Sequence, residues 1–234
     1  MTTYFVRHGR TSYSARYLVN GSPDIPVVLD EEGVRQARAI SPRVQEMAVR
    51  CCWTSSFPRT RQTARLVLEG TDCPRSVDPR LDEPDYGVFE GRPFLEYAAW
   101  LRRHGPTARP PGSRESQREA LLRMLSGCMF PPPSEAPRLV VAHGLLLSVL
   151  NWFRSRGPRT SVPTFFPEAP YLEPLAVSDQ CLRDWVTHLS DELREELDSN
   201  KVGGGSGISS KGDRTVIGLP EPVPTFLEET ESDA

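Results

Sequence analysis

Short apolar runs alternate with longer amphipathic stretches along most of this chain. "TYFVR" (residues 3–7) reads as a first strand. "LDEEGVRQARAISPRVQEMAV" (29–49) reads as a helix opened by acidic residues and disturbed at Pro42, which lacks the N–H that the helical ladder needs. "RCCWTS" (50–55) predicts a second strand, followed by a helix entered at Pro58 with apolar positions at Ala64, Val67 and Leu68. An extended "RSVDPRL" (75–81), a loop "EPDYGVFEG" (83–91) and helices around 94–103 and 115–129 come next. "RLVVAH" (138–143) is the following strand, and Gly144 opens "LLLSVLNWF" as a helix. Strand and helix in regular alternation predict an α/β domain with a largely parallel sheet.

Residues 156–177 are rich in proline and fit no period; they are placed at the rim of a pocket. Leu182, Trp185, Val186, Leu189, Leu193 and Leu197 then form a helical stripe packed on the core. "GGGSG" (203–207) has linker composition, and "GLPEPVPTFLEETESDA" (218–234) is proline-rich and acidic. The chain therefore divides into a folded domain, 1–198, and a flexible tail, 199–234, which offers a surface for a protein partner. Oligomeric state is not encoded in any pattern we recognise.

At 234 residues and 38% hydrophobic content the chain has enough apolar side chain for a sizeable core. No apolar run approaches the roughly 18 residues of a membrane span, and the N-terminus enters "TYFVR" without a basic segment and an apolar one before it. A cytoplasmic protein without a membrane partner is expected. The cysteines at 51, 52, 73, 128 and 181 show no C-x-x-C spacing, which favours reduced thiols over disulfides or zinc. Cations and acids balance through residue 198, so the net charge of −3 resides in the tail. A balanced body carries no electrostatic footprint for nucleic acid.

Chemistry concentrates at two strand ends. In parallel α/β sheets the residues just past the carboxyl ends of strands line the ligand crevice. His8 follows "TYFVR" and His143 follows "RLVVA", each with a glycine after it that permits a tight turn and leaves room for a ligand. Arg7, Arg10 and Arg59 add fixed positive charge. Guanidinium groups grip phosphate oxygens through paired hydrogen bonds, so two histidines among arginines suggest a phosphate cradle, with a carboxylate as the weaker alternative. No acidic cluster suits magnesium, and no G-x-x-x-x-G-K loop is present. Neither metal nor cofactor is expected.

"RHGRT" (7–11), "TSSFPRTRQTA" (54–64), "LDEPDYGVFEG" (81–91) and "VVAHG" (140–144), in this order, resemble the four motifs of the histidine phosphatase superfamily, also called phosphoglycerate mutase-like. "SPDIPVVLDEEGVRQA" (22–37) is similar to the family's segment after the first motif, and the likeness spans about residues 3–153. The resemblance implies a three-layer sandwich with a mostly parallel central sheet flanked by helices. It implies that His8 is the nucleophile, that a phosphohistidine forms, and that Arg7, Arg59 and His143 hold the phosphoryl oxygens. Glu83 would be the acid that protonates the leaving oxygen and then the base that activates water. Thr11, with Ser14 and Gly144, would shape the phosphate pocket. Nearby cations would keep His8 neutral, and burial must raise Glu83 above its reference pKa of about 4.3.

Two departures stand out. Where relatives commonly carry an acidic residue after "RHG" and an asparagine four residues later, this chain has Arg10 and Ser14. Arg10 suggests a substrate with a second anionic group near its phosphate. Mutases of the family generally carry a long insertion between the glutamate and the second histidine; only 59 residues separate Glu83 from His143, which resembles the phosphatase branch. The expectation is a phosphomonoesterase acting on a phosphorylated small molecule. The alternatives are a phosphoglycerate mutase-type transfer, a catalytically weak binding protein of the same fold, and a metal-dependent hydrolase. His104 suits the end of an arginine-rich helix and His188 lies beside the last apolar stripe, so neither joins the site. Asp82, Asp85 and Glu90 read as solvated loop carboxylates. The substrate-selecting loops, 92–114 and 156–177, carry no signature that names a substrate.

Overall fold

A computed structural model describes residues 1–129, 136–156 and 161–203, with main chain alone for 201–203. Its strands are β1 (Thr2–Arg7), β2 (Cys51–Thr54), β3 (Arg75–Val77), β4 (Arg138–Ala142) and β5 (Leu175–Ser178). Its helices are α1 (Glu31–Glu46), α2 (Pro58–Val67), α3 (Phe94–His104), α4 (Gln117–Gly127), α5 (Gly144–Ser155) and α6 (Asp179–Gly203). Among the described residues the strands form one sheet in the order β3-β2-β4-β1-β5, parallel except for β5, which runs antiparallel to β1.

Alternation along the strands sorts the core into two layers. Phe5, Val140, Ala142, Leu175 and Val177 point to one face, where Leu121, Met124 and Leu125 of α4, Leu146 and Leu150 of α5 and Leu182, Val186, Leu189 and Leu193 of α6 cover them. Val6, Cys52, Leu139 and Val141 point to the other, against Ala37 and Val44 of α1 and Ala64, Leu66 and Val67 of α2. The result is helices, sheet, helices: the three-layer sandwich. A smaller apolar cluster, Val19, Tyr86, Phe89, Tyr97 and Leu101, lies beneath α3 and supports the loop that carries Glu83.

Several local expectations change. α1 is capped by Asp30, whose Oδ1 accepts from Gly33 N at 2.8 Å, and it runs through Pro42 to Glu46 without a break. Burial of Ala37, Ser41 and Val44, with Ser41 Oγ donating to the Val67 carbonyl at 3.1 Å, outweighs the missing N–H. β5 was not anticipated within the proline-rich segment. α6 extends to Gly203, five residues past the expected domain boundary; 204–234, which holds most of the linker and tail, lies outside the described residues, as does 157–160. Cys51, Cys52 and Cys128 are buried thiols, whereas Cys73 is half-buried and Cys181 exposed. No helix among the described residues is long and apolar enough to cross a membrane.

Candidate active site

The register of the sheet brings the site together. Arg7 pairs with Ala142 across β1 and β4, so His8 and His143 leave adjacent strands side by side; His8 N donates to the Ala142 carbonyl at 3.0 Å. Their ring centroids are 5.4 Å apart. β2 ends one strand over at Thr54, opposite Val141, and hands the chain through Ser55 to α2. Arg59 and Thr63, one turn apart on α2, both reach the β1 end: Thr63 Oγ1 accepts from Gly9 N at 3.1 Å. β3 leads through a tight turn at Pro79–Leu81 to Glu83.

The hydrogen bonds fix both imidazole tautomers. His8 Nδ1 lies 2.8 Å from the Gly9 carbonyl, an acceptor only, so Nδ1 carries the proton. Arg59 Nε donates to His8 Nε2 at 3.1 Å, so Nε2 is the unprotonated nitrogen and its lone pair accepts that bond. Burial holds the His8 pKa well below the ordinary histidine value, and the charges of Arg59 and Arg7 add to that effect against the Gly9 hydrogen bond. The sequence reading credited the cations; burial is the larger cause. At His143, Arg59 Nη2 donates to Nδ1 at 3.1 Å, so Nε2 carries the proton and donates to Ser55 Oγ at 2.7 Å. Ser55 Oγ lies 2.8 Å from Thr60 Oγ1, which itself donates to the Phe57 carbonyl at 2.9 Å. This file of buried hydroxyls locks the ring. Burial, then Arg59 and His8, hold His143 neutral as well.

Arg59 is the hub. It is 4% exposed, its Nη1 donates to Asn20 Oδ1, its Nη2 also donates to the Asn20 carbonyl at 3.1 Å, and it stacks 4.2 Å from the Phe57 ring centroid. Burial lowers its pKa to about 10, with Glu83, Tyr86 and Glu90 opposing, so the guanidinium stays charged near neutrality. Arg7 is held from the far side by the segment after α5. Its Nη1 donates to Glu168 Oε1 at 2.7 Å and to the Ala169 carbonyl at 2.5 Å, its Nη2 to the Tyr171 hydroxyl at 2.9 Å, and its Cζ sits 3.8 Å from the Tyr171 ring centroid. Arg7 Nε is buried without a hydrogen-bond partner in the protein. Gly144 is the first residue of α5, and a Cβ there would lie 3.3 Å from Arg7 Cζ and Nε.

Glu83 is 12% exposed on its side chain. Its Oε1 accepts from the Tyr86 hydroxyl at 3.0 Å, and Oε2 is buried, unpartnered, 3.6 Å from His143 Nδ1. Burial raises its pKa; Arg59, the Tyr86 hydrogen bond, Arg7 and Arg123 pull against it. Among the described residues no group of three or more His, Cys, Asp or Glu side chains is gathered to hold a metal ion.

His8, Arg7, Arg59, His143, Glu83 and Gly144 thus come together. Arg10, Thr11 and Ser14 do not join them in the same way. Arg10 Nε donates to Asp30 Oδ2 at 2.9 Å, tying the charge to the cap of α1 rather than to the cradle. Thr11 and Ser14 bond each other: Thr11 N donates to Ser14 Oγ at 2.9 Å and Ser14 N to Thr11 Oγ1 at 3.0 Å. They build the turn after His8. The loop carboxylates are not simply solvated either. Asp82 Oδ1 accepts from Ser56 N at 2.6 Å, Asp85 accepts from Gly87 N at 2.9 Å and Arg114 N at 2.9 Å, and Glu90 takes both Asn20 and Gly21. His104 stacks on Trp100 at 4.9 Å and His188 is exposed, both outside the site. Sequence reasoning missed Asn20, Ser55, Tyr86, Glu168 and Tyr171. Ser55 and Tyr86 lay inside the quoted motifs; the others gave no local signal.

Comparison with known proteins places this geometry. The sequence model described as histidine phosphatase superfamily (branch 1) matches residues 3–161. A protein of Cronobacter sakazakii named probable phosphoglycerate mutase GpmB is 36% identical over 160 residues, 64% of this chain and 73% of that one. The crystal structure of the α-ribazole phosphatase from Shigella flexneri superposes with a TM-score of 0.53 at 25% identity, covering 65% of this chain and 78% of that one. A mycobacterial glucosyl-3-phosphoglycerate phosphatase in complex with VO3 shares the fold at a TM-score of 0.60 and 22% identity, over 76% and 92%. The chain belongs to the histidine phosphatase superfamily, an enzyme family of phosphatase and mutase chemistry.

Proposed function

We propose that this enzyme is a cytoplasmic, metal-independent phosphomonoesterase acting on a phosphorylated small molecule through a phosphohistidine at His8. The observation that carries the reading is the pairing of opposites at one locus. The unprotonated Nε2 of a neutral imidazole accepts from Arg59 Nε, a donor that an incoming phosphoryl oxygen would draw away to free the lone pair, while Arg7 Nε and Glu83 Oε2 lie buried without protein hydrogen-bond partners. A phosphoryl group seated there takes hydrogen bonds from Arg7 and Arg59 on its non-bridging oxygens, where phosphoryl transfer accumulates charge. Its dianion also favours a proton on His143 Nδ1, turning that nitrogen into a further donor.

The reaction runs in two steps. His8 Nε2 attacks phosphorus, the bond to the ester oxygen breaks, and protonated Glu83 delivers its proton to that oxygen, releasing an alcohol. Ionised Glu83 then takes a proton from water, whose oxygen attacks the phosphohistidine to release inorganic phosphate and restore both residues. The fixed arginine charge substitutes for the cation that a metal would supply. The short Glu83 to His143 segment supports hydrolysis over retention of the dephosphorylated intermediate. The 36% identical mutase-named relative supports phosphoryl transfer between hydroxyls as a second reading.

The test is turnover of p-nitrophenyl phosphate and of a monophosphoglycerate. The proposal expects inorganic phosphate from both, no loss of rate in chelator, and loss in His8→Ala by a factor of about 10³ or more. Isomerisation of the phosphoglycerate with little phosphate release would move the conclusion to a mutase, and a chelator-sensitive rate would overturn it.

A further inference from the structure

Arg59 reaches both histidines, yet its own position is set from outside the motif that contains it. Nη1 and Nη2 both end on Asn20, one on the side-chain oxygen and one on the main-chain oxygen. Asn20 is itself buried, and its Nδ2 donates to Glu90 Oε1 at 2.9 Å and to the Ser22 carbonyl at 3.2 Å. The second oxygen of Glu90 accepts from Gly21 N at 2.6 Å. Main-chain bonds fix the register of this arrangement: Gly91 N donates to the Val19 carbonyl and Val19 N to the Arg92 carbonyl, each at 3.0 Å. The same turn presses on the general-acid loop. A Cβ on Gly21 would lie 2.0 Å from the Pro84 carbonyl oxygen, so no other residue fits between them.

We propose that Glu90 is a positioning residue: its carboxylate clamps the Asn20–Gly21 turn, and that turn holds Arg59 against His8 Nε2 and His143 Nδ1. The inference rests on the hydrolytic reading above for its effect on turnover, but its structural content is independent of that reading. A carboxylate is needed because both partners, Asn20 Nδ2 and Gly21 N, are donors; an amide at position 90 satisfies one and opposes the other. With the clamp open, Arg59 leaves its fixed distance to the nucleophile. A misplacement on the scale of 1 Å costs about 100-fold in rate.

Glu90→Gln and Asn20→Ala test this together. The first readout is a titration of the His8 imidazole by NMR, which needs no turnover. His8 faces Arg59, Arg7, His143 and Tyr171. Loss of the Arg59 donor and charge moves its pKa up toward the ordinary histidine value in both variants. The second readout is p-nitrophenyl phosphate hydrolysis, where kcat falls about 10- to 100-fold in each variant with a smaller change in KM, and the double variant loses less than the product of the two single losses. An unmoved His8 titration in folded Glu90→Gln, or losses that multiply in full, would overturn the proposal. A moved titration in an enzyme that hydrolyses no ester would leave the clamp standing and sink the hydrolytic reading instead.

Discussion

Replacing Glu83 by glutamine keeps the shape of the side chain and removes its proton chemistry. The native carboxyl binds its proton more tightly than the unfolded chain does, because burial raises its pKa from 4.5. Stability therefore falls as pH rises from that ordinary value through the raised one, and stays lower above it. Each unit of displacement is worth about 1.4 kcal/mol. An amide has no charge to bury. It also retains the Tyr86 bond at Oε1. Glu83→Gln should match its parent in acid and exceed it at neutral pH. In a domain of this size about 1 kcal/mol raises Tm by roughly 2–4 °C. Activity should move the opposite way. General acid catalysis contributes about 10² to 10⁴ where the leaving alkoxide is poor, so phosphoenzyme formation from an alkyl ester should slow at least 100-fold. p-Nitrophenolate departs without a proton, so formation from that ester should survive while breakdown slows, and the phosphoenzyme should accumulate in rapid-quench experiments. Equal losses in the formation step for both esters, with an unaltered stability profile against pH, would refute the assignment of Glu83 and the account of its burial.

Three further substitutions probe the supports of the site. Ser55→Ala leaves the buried His143 Nε2–H without its acceptor at 2.7 Å; a loss of about 1–3 kcal/mol in denaturant unfolding and a raised KM are expected, and unchanged values for both would contradict the tautomer assigned here. Gly144→Ala favours the helix but places a Cβ 3.3 Å from Arg7 Cζ and Nε; stability should stay within about 0.5 kcal/mol while kcat/KM falls by about tenfold, and an unchanged kcat/KM would mean Arg7 is not held in a critical position. Arg118, 1% exposed, donates to Glu196 and to the carbonyls of Val162 and Pro163, anchoring the segment that leads to Glu168 and Tyr171. Arg118→Ala should cost about 1–3 kcal/mol by urea unfolding, from the carbonyls left without a donor, and weaken substrate binding; a loss below about 0.5 kcal/mol would show that the anchor is not needed.

The parts of this structure that were legible in sequence are those whose signal is local. Alternation in "TYFVR" and "RLVVA" marks two strands, and the histidine that ends each one follows from the crevice rule for parallel sheets. The elements that stayed hidden depend on distant partners. Glu168 and Tyr171 meet Arg7 across more than 160 residues, and no period or motif connects them. β5 has only four residues to show its alternation, in a stretch containing Pro167, Pro170 and Pro174. Pro42 was overvalued because propensity is read one residue at a time, whereas the buried face of α1 acts as a unit. Asp82, Asp85 and Glu90 looked like surface charge since their partners are mostly main-chain N–H groups, which every residue carries and no sequence pattern advertises. Arg10 was read from its place in the motif and its charge; the bond from its Nε to the cap residue Asp30, twenty positions on, has no local signal.

The nucleophile is tested most directly by quenching the enzyme in alkali during turnover of a ³²P-labelled monoester and mapping the label. The account predicts acid-labile, alkali-stable phosphate on Nε2 of His8, since Nδ1 is committed to the Gly9 carbonyl. Label on another residue, or steady hydrolysis with no labelled protein at any quench time, would contradict it.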